Sequence, residues 1–192
     1  PKNTAVVSIL GMSGAGKSSF VRSLGWNDRD KGFRALKVPE FGGADKGPGG
    51  IRVEDPLLLE RVKLFAFEQW LGVFLETARN RPTEKIVMVA ERGPNDVLAY
   101  LFWHMEVARR EGRITPEFQR DWISTFAQAL AATVWVDGAI LYDVTKKTTR
   151  FRRRSRGKNP EGPVVNSENR EVFVRAYGRW LGLAYLLAIH QG

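Results

Sequence analysis

The sequence contains no cysteine and only two histidines, His104 and His190. Without thiols there is no disulfide framework, no thiolate zinc site and no cysteine nucleophile. Two histidines so far apart in the chain also exclude a histidine-rich metal site. Long apolar runs are missing as well. The first short one, Ala5 to Leu10, is too brief for a signal peptide and leads straight into a glycine loop. Trp180 to Ile189 is uncharged but falls well below the roughly 20 residues of a spanning helix. A cytoplasmic protein with no membrane segment is therefore expected. What remains is an ordinary folded composition, 43% hydrophobic and 27% charged over 192 residues. That length suits a single domain, residues 1–192, with one substantial core.

Acidic residues are too few to balance the basic ones, 21 against 30, giving a net charge of +9. The excess is local. Residues 146–158 read KKTTRFRRRSRGK and carry eight basic side chains with no acid, so removing them leaves the rest of the chain at +1. A general nucleic-acid binder usually spreads its charge over a broader patch. The run itself admits three readings: a phosphate clamp, a nucleic-acid contact, or a solvated charged loop.

Apolar strands and amphipathic helices alternate along the chain. Val6–Leu10, Arg34–Val38, Ile86–Ala90 and Ala139–Val144 read as strands. Helices are expected over Lys17–Leu24, from Asp55-Pro56 to about Ala78, over Pro94–Arg110, from Thr115-Pro116 onward, and from near Ser167. In the second helix Leu58, Val62, Phe65, Trp70 and Phe74 are expected to be largely buried. In the fourth, Phe118, Trp122, Ile123, Phe126 and Leu130 should face inward. Most tryptophans should be core, His104 is expected on a helix surface or in the core rather than as a catalyst, and Tyr100 is expected to pack. Gly42–Gly50 is a glycine-rich loop. Strands of this kind between helices imply an α/β fold with a parallel sheet covered on both faces, and ligands at the carboxyl ends of the strands.

The loop after the first strand is Gly11-Met12-Ser13-Gly14-Ala15-Gly16-Lys17-Ser18, which satisfies G-x-x-x-x-G-K-[ST] at every required position. Such a loop turns successive backbone N–H groups inward as an anion nest, and the following helix adds its positive end. Ser13, Gly14, Ala15, Gly16, Lys17, Ser18 and Ser19 form the expected nucleotide cradle. Lys17 would meet the β- and γ-phosphates, and the Ser18 hydroxyl would be a Mg²⁺ ligand. No Asp has Gly three places on and no Lys has Asp two places on. A GTPase switch and guanine reader are thus missing, and ATP is the expected nucleotide. After the strand 86–90 comes Glu91-Arg92-Gly93. A carboxylate there can hold Mg²⁺ or take an acceptor proton, and the arginine can neutralise a phosphoryl group in transfer.

These segments together resemble the thymidylate kinase and deoxynucleoside kinase group of phosphate-loop kinases. Pro39-Glu40-Phe41-Gly42-Gly43 is similar to the E-P-G-G loop. Leu64-Phe65-Ala66-Phe67-Glu68-Gln69 is similar to the L-F-A helix facing the acceptor base. Glu91-Arg92-Gly93 with Leu98-Ala99-Tyr100 is similar to D-R-Y…L-A-Y and to E-R-S. Residues from Val144 through Arg150 and Arg154 resemble the lid, and Val174-Arg175-Ala176-Tyr177 resembles the V-R-x-Y of the next helix. The resemblance implies a three-layer phosphate-loop fold with an arginine-rich lid at about 145–165, using ATP and Mg²⁺ to phosphorylate a nucleoside or nucleoside monophosphate. It implies catalytic roles for Lys17, Glu40, Glu91, Arg92, Arg150 and Arg154, and acceptor contacts from Glu40, Phe65, Gln69, Trp70 and Arg92. Ser18 and Glu91 would hold the metal. Asp96 stands where thymidylate kinases have Ser, and Gln69 where they commonly have Arg; both departures point away from a monophosphate acceptor. A homodimer is compatible with the resemblance. The alternatives are a kinase of another small molecule, or a nucleotide-dependent switch that meets nucleic acid through 146–158.

Overall fold

The computed structural model describes residues 3–11, 15–24, 32–38 and 55–142, together with the isolated positions 148, 171, 174, 175, 178 and 179. Four strands form one sheet: β1 (Thr4–Gly11), β2 (Arg34–Val38), β3 (Ile86–Glu91) and β4 (Gly138–Tyr142). Their spatial order is β2-β3-β1-β4, and every neighbouring pair is parallel. The helices are α1 (Lys17–Ser23), α2 (Pro56–Asn80), α3 (Pro94–Arg110) and α4 (Pro116–Ala132). All four expected strands and the first four expected helices are present. Residues 143–144, the lid segment and most of the expected last helix lie outside the described residues.

Period-two alternation on the strands builds three layers. Val6, Ile86, Met88 and Ala90 point to one face and pack with α2, α3 and α4. Val7, Ile9, Val87 and Val89 point to the other and pack with Val21, Phe20 and Leu24 of α1 and its end. Both faces of β1 and β3 are thus buried, as fully apolar strands require. Among the described residues β4 stands at one end of the sheet, with Ile140 and Leu141 exposed.

Local chemistry explains where the helices begin. Asp55 accepts from the N–H groups of Leu57 and Leu58, and Pro56 follows it at the first helical position. Thr115 caps α4 in the same manner through the N–H of Phe118. The buried stripe of α2 is Leu57, Glu60, Leu64, Phe67, Leu71, Phe74 and Ala78, with Lys63 beside it. That differs from the expected face: Leu58 is exposed, and Phe65 is 61% exposed. The helix carries apolar residues on both sides, and the phase that wins is the one placing Phe67 and Phe74 in the core. On α4, Ile123 is 61% exposed, whereas Phe118, Trp122, Phe126 and Leu130 pack against the core as expected. Trp70 and Trp122 pack against the main core and Trp103 against Leu10 and Tyr100, but Trp135 is half exposed.

Candidate active site

The carboxyl ends of β1 and β3, adjacent in the sheet, carry the two motifs to one place. Both obligatory glycines of the loop adopt positive φ, Gly11 at 133° and Gly16 at 106°. An L side chain is strained there, so the motif's glycines are conformational requirements. Gly16 is the N-cap of α1, and Lys17 and Ser18 open that helix. Lys17 is buried, and its Nζ donates to the Gly11 carbonyl at 2.6 Å, tying the end of the loop to its start. Met12, Ser13 and Gly14 lie outside the described residues. Ala15 is buried and Ser19 exposed.

The Ser18 hydroxyl donates to Oε1 of Glu91 in a short contact between the first turn of α1 and the end of β3. The predicted metal pair, one from each motif, is therefore assembled by the fold. Both donors are hard oxygens of the kind Mg²⁺ takes alongside phosphate oxygens. The next residue, Arg92, is the one non-glycine residue with positive φ among the described residues, at 66°. Strain of this kind is maintained only where the surroundings over-determine it. Its guanidinium lies 3.7 Å from Oδ2 of Asp96 and 5.1 Å from the centroid of the Tyr100 ring. Lys63 of α2 lies over the same ring, 4.8 Å from its centroid, and contacts Oε1 of Glu60 at 2.5 Å. His104 Nε2 is 3.5 Å from that carboxylate oxygen.

Four ionisable side chains, Glu60, Lys63, Arg92 and Asp96, are thus buried around one tyrosine. Burial disfavours the Asp96 carboxylate and raises its pKa above the ordinary 3.8, against the pull of Arg92, Lys17 and Lys63 and with a further push from Glu60. Burial also opposes the Glu60 charge, but Lys63 and His104 overcome it and hold that carboxyl below its ordinary 4.5. The Tyr100 hydroxyl is pushed up to about 12, by burial first, with Arg92 opposing. The two carboxyls contribute opposite signs to stability. Between 3.8 and its raised value, Asp96 is protonated in the folded chain and ionised in the unfolded one, so its contribution falls as pH rises. Glu60 stabilises above 4.5 and loses that contribution as pH falls through its lowered value. In denaturant melts, Asp96→Asn should gain on the wild type as pH rises above 3.8 and then level off. A pH-independent difference would contradict this placement of Asp96.

Gly93 matters for a different reason. Its φ of −79° suits any residue. Yet a Cβ there would come within 2.6 Å of Ser8 Oγ and 3.8 Å of the Phe67 ring. Ser8 is fully buried in β1, so it cannot swing away. The missing side chain lets the start of α3 sit against the sheet. Gly93→Ala should cost about 1–3 kcal/mol in unfolding free energy. Ser8→Ala should restore part of that loss in the double variant, and equal losses with and without it would show that the clash lies elsewhere.

Of the predicted residues, the structure brings Lys17, Ser18, Glu91 and Arg92 together. It does not bring Phe65 or Gln69 to them. Both are exposed, and Gln69 lies two residues past Phe67, the α2 side chain that approaches Gly93, and so about 200° further around the helix. Trp70 packs at the core margin. Glu40, Arg150 and Arg154 lie outside the described residues. Sequence reasoning did not single out Glu60 and Lys63, which the fold buries beside Tyr100; Tyr100 itself packs as expected, against Leu10, Ala99 and Trp103, with two cations over its ring. The signal for Glu60 was its place in the apolar stripe of α2.

Against protein-family models and curated protein sequences the chain has no match. Among solved structures it is similar to deoxyadenosine kinase from M. mycoides with bound dATP, with a TM-score of 0.55 and 18% identity over 94% of this chain and 86% of that one. The likeness establishes the fold: a parallel sheet between helices, as in that structure. Among the described residues no helix is long and apolar enough to cross a membrane.

Proposed function

We propose that the protein is an ATP-dependent phosphotransferase that moves the γ-phosphoryl group to the hydroxyl of a small acceptor, a nucleoside in preference to a nucleoside monophosphate. The observation that carries this reading is the meeting of Ser18 with Glu91, beside Lys17 and Arg92, at the ends of neighbouring strands. The fold it shares with a deoxyadenosine kinase supports the acceptor class. Asp96, buried 3.7 Å from the Arg92 guanidinium, supports a neutral acceptor, because a second anionic group brought beside an acidic side chain in this buried place is disfavoured.

Within this reading the backbone N–H groups of residues 11–18 bind the triphosphate tail. Lys17 exchanges its bond to the Gly11 carbonyl for β- and γ-phosphate oxygens. Ser18 and Glu91 hold Mg²⁺, which when bound neutralises charge on those oxygens. Arg92 offsets the charge that develops on the transferring group. Glu40 orients or deprotonates the acceptor hydroxyl, and Arg150 and Arg154 close from the lid segment and exclude water. Little covalent chemistry is asked of the protein; positioning and charge supply the rate.

The test is ADP release in the presence of Mg²⁺ across a panel of nucleosides, nucleoside monophosphates and unrelated hydroxyl compounds. The expected result is release stimulated by one or more nucleosides and much less by the monophosphates. Stimulation by monophosphates alone would overturn the acceptor assignment. A blank across the panel, with salt-sensitive oligonucleotide binding through 146–158, would replace the kinase reading by the nucleic-acid one.

A further inference from the structure

The face of α2 that turns away from the core carries apolar side chains of its own. Leu58 and Phe65 are exposed seven residues apart, and Val73 is exposed on the same side. Seven residues are close to two helical turns, so the series continues at Gly72. Gly72 lies well inside a 25-residue helix, where glycine is the poorest helix former after proline. Its φ is not positive, and a Cβ there would meet nothing within 4 Å. Gly93 is required by Ser8 and Phe67, but no neighbour in the described fold requires Gly72. The gap it leaves on an exposed helix face fits a bulky side chain arriving from outside, as a knob enters a hole between paired helices. Phe65, one heptad earlier, is such a side chain.

We infer that α2 pairs antiparallel with α2 of a second copy of this chain, about a two-fold axis between Glu68 and Gln69. Positions 65 and 72 lie equally far on either side of that axis, and so do 61 and 76. Phe65 therefore enters the gap at Gly72 of the other copy, beside Val73, and Arg61 faces Glu76. Each contact is made twice, as a two-fold interface requires. Arg61 is already held at the edge of this face, because its Nε donates to Thr125 and its Nη2 to Asp121 of α4. Its Nη1 is left for the exposed carboxylate of Glu76. A parallel pairing would instead set Phe65 against Phe65 and Arg61 against Arg61. Glu68 approaches its own copy near the axis, but at the exposed rim, where salt screens the repulsion. The pairing also gives Phe65 and Gln69 a place, which the nucleotide site does not. It does not depend on the kinase reading.

Sedimentation of the full chain across a concentration series should show a species of twice the chain mass. Gly72→Gln gives the distinguishing result. Glutamine is a better helix former than glycine and meets no atom of its own chain, so the diluted variant should resist urea at least as well as the wild type. Its dimer should nevertheless be weaker by about tenfold or more, because the side chain fills the space that Phe65 needs. Phe65→Gln should weaken association on the same scale. The chain has no cysteine, so single cysteines report the register. Gln69→Cys stands beside the axis and should join two copies through a short bis-maleimide. Leu58→Cys should not, since at 1.5 Å per residue its two copies stand about 30 Å apart. Cross-linking of Leu58→Cys as efficient as that of Gln69→Cys would overturn the antiparallel register. A dimer indifferent to both Gly72→Gln and Phe65→Gln would place the interface elsewhere and overturn the inference. A monomer throughout the series would overturn it too, leaving this face to a segment of the same chain or to another protein.

Discussion

Lys17→Ala should reduce acceptor-stimulated ADP release by about 10²–10³-fold or more, the scale for loss of one pre-aimed electrostatic group in a water-poor site. Two separate effects add in this variant. The cation that meets the phosphates disappears, and so does the 2.6 Å bond by which Lys17 Nζ ties the loop to the Gly11 carbonyl. The first weakens transition-state stabilisation, and the second loosens the cradle in the absence of nucleotide. ATP affinity should therefore drop as well, by a smaller factor than the rate. Lys17→Arg separates the two effects. It keeps charge, but a guanidinium is planar and longer, and it cannot serve as the compact donor the loop accommodates. It should recover nucleotide binding better than turnover. Equal ADP release by Lys17→Ala and the wild type would remove the phosphate loop from the chemistry.

Arg92 should show the second large effect, and its backbone allows stability and activity to be separated. Left-handed φ costs a non-glycine residue about 1–2 kcal/mol, and Arg92 sits there at 66°. Arg92→Ala keeps the strain and loses the guanidinium. Arg92→Gly loses the guanidinium and relieves the strain. The glycine variant should thus be more stable than the alanine variant by about 1 kcal/mol, after allowing for the extra freedom glycine gains when unfolded. Both should lose activity alike, by about 10³-fold, if the side chain neutralises the transferring group. Urea melts and steady-state rates on the same two proteins decide the matter. Activity that followed stability, with the glycine variant more active, would make Arg92 a structural residue.

Sequence pattern gave the scaffold because its signals are local. Four apolar strands, the Asp55-Pro56 and Thr115-Pro116 helix starts and the glycine spacing of residues 11–16 each act over a few residues, and each is where it was expected. The meeting of Ser18 with Glu91 was legible for the same reason, since both follow from adjacent parallel strands. The choice of face on α2 was not. Leu58, Phe65 and Val73 compete with Leu57, Leu64, Phe67 and Phe74 for the core, and periodicity alone allows either phase. Tertiary packing selects the second. Counting Leu58 and Phe65 among the buried residues took the other phase at those positions. The left-handed backbone at Arg92 had no sequence signal, because arginine is not a residue that marks such a turn.

Gly93 and Ser8 show a related limit. A glycine after Glu91-Arg92 read from sequence is a turn residue or a family substitution. Its requirement comes from a side chain 85 positions earlier in the chain, which only the β1–β3 pairing and the seating of α3 bring to within 2.6 Å of the absent Cβ. Close approaches of this kind belong to the assembled fold.

A crystal structure with Mg²⁺ and a non-hydrolysable ATP analogue tests the central claim most directly. The account predicts the β- and γ-phosphates within the arc of residues 11–18, Lys17 Nζ moved from the Gly11 carbonyl onto their oxygens, and the metal between Ser18 and Glu91. An empty loop at saturating nucleotide, or a triphosphate bound elsewhere while Lys17 stays on Gly11, would contradict it.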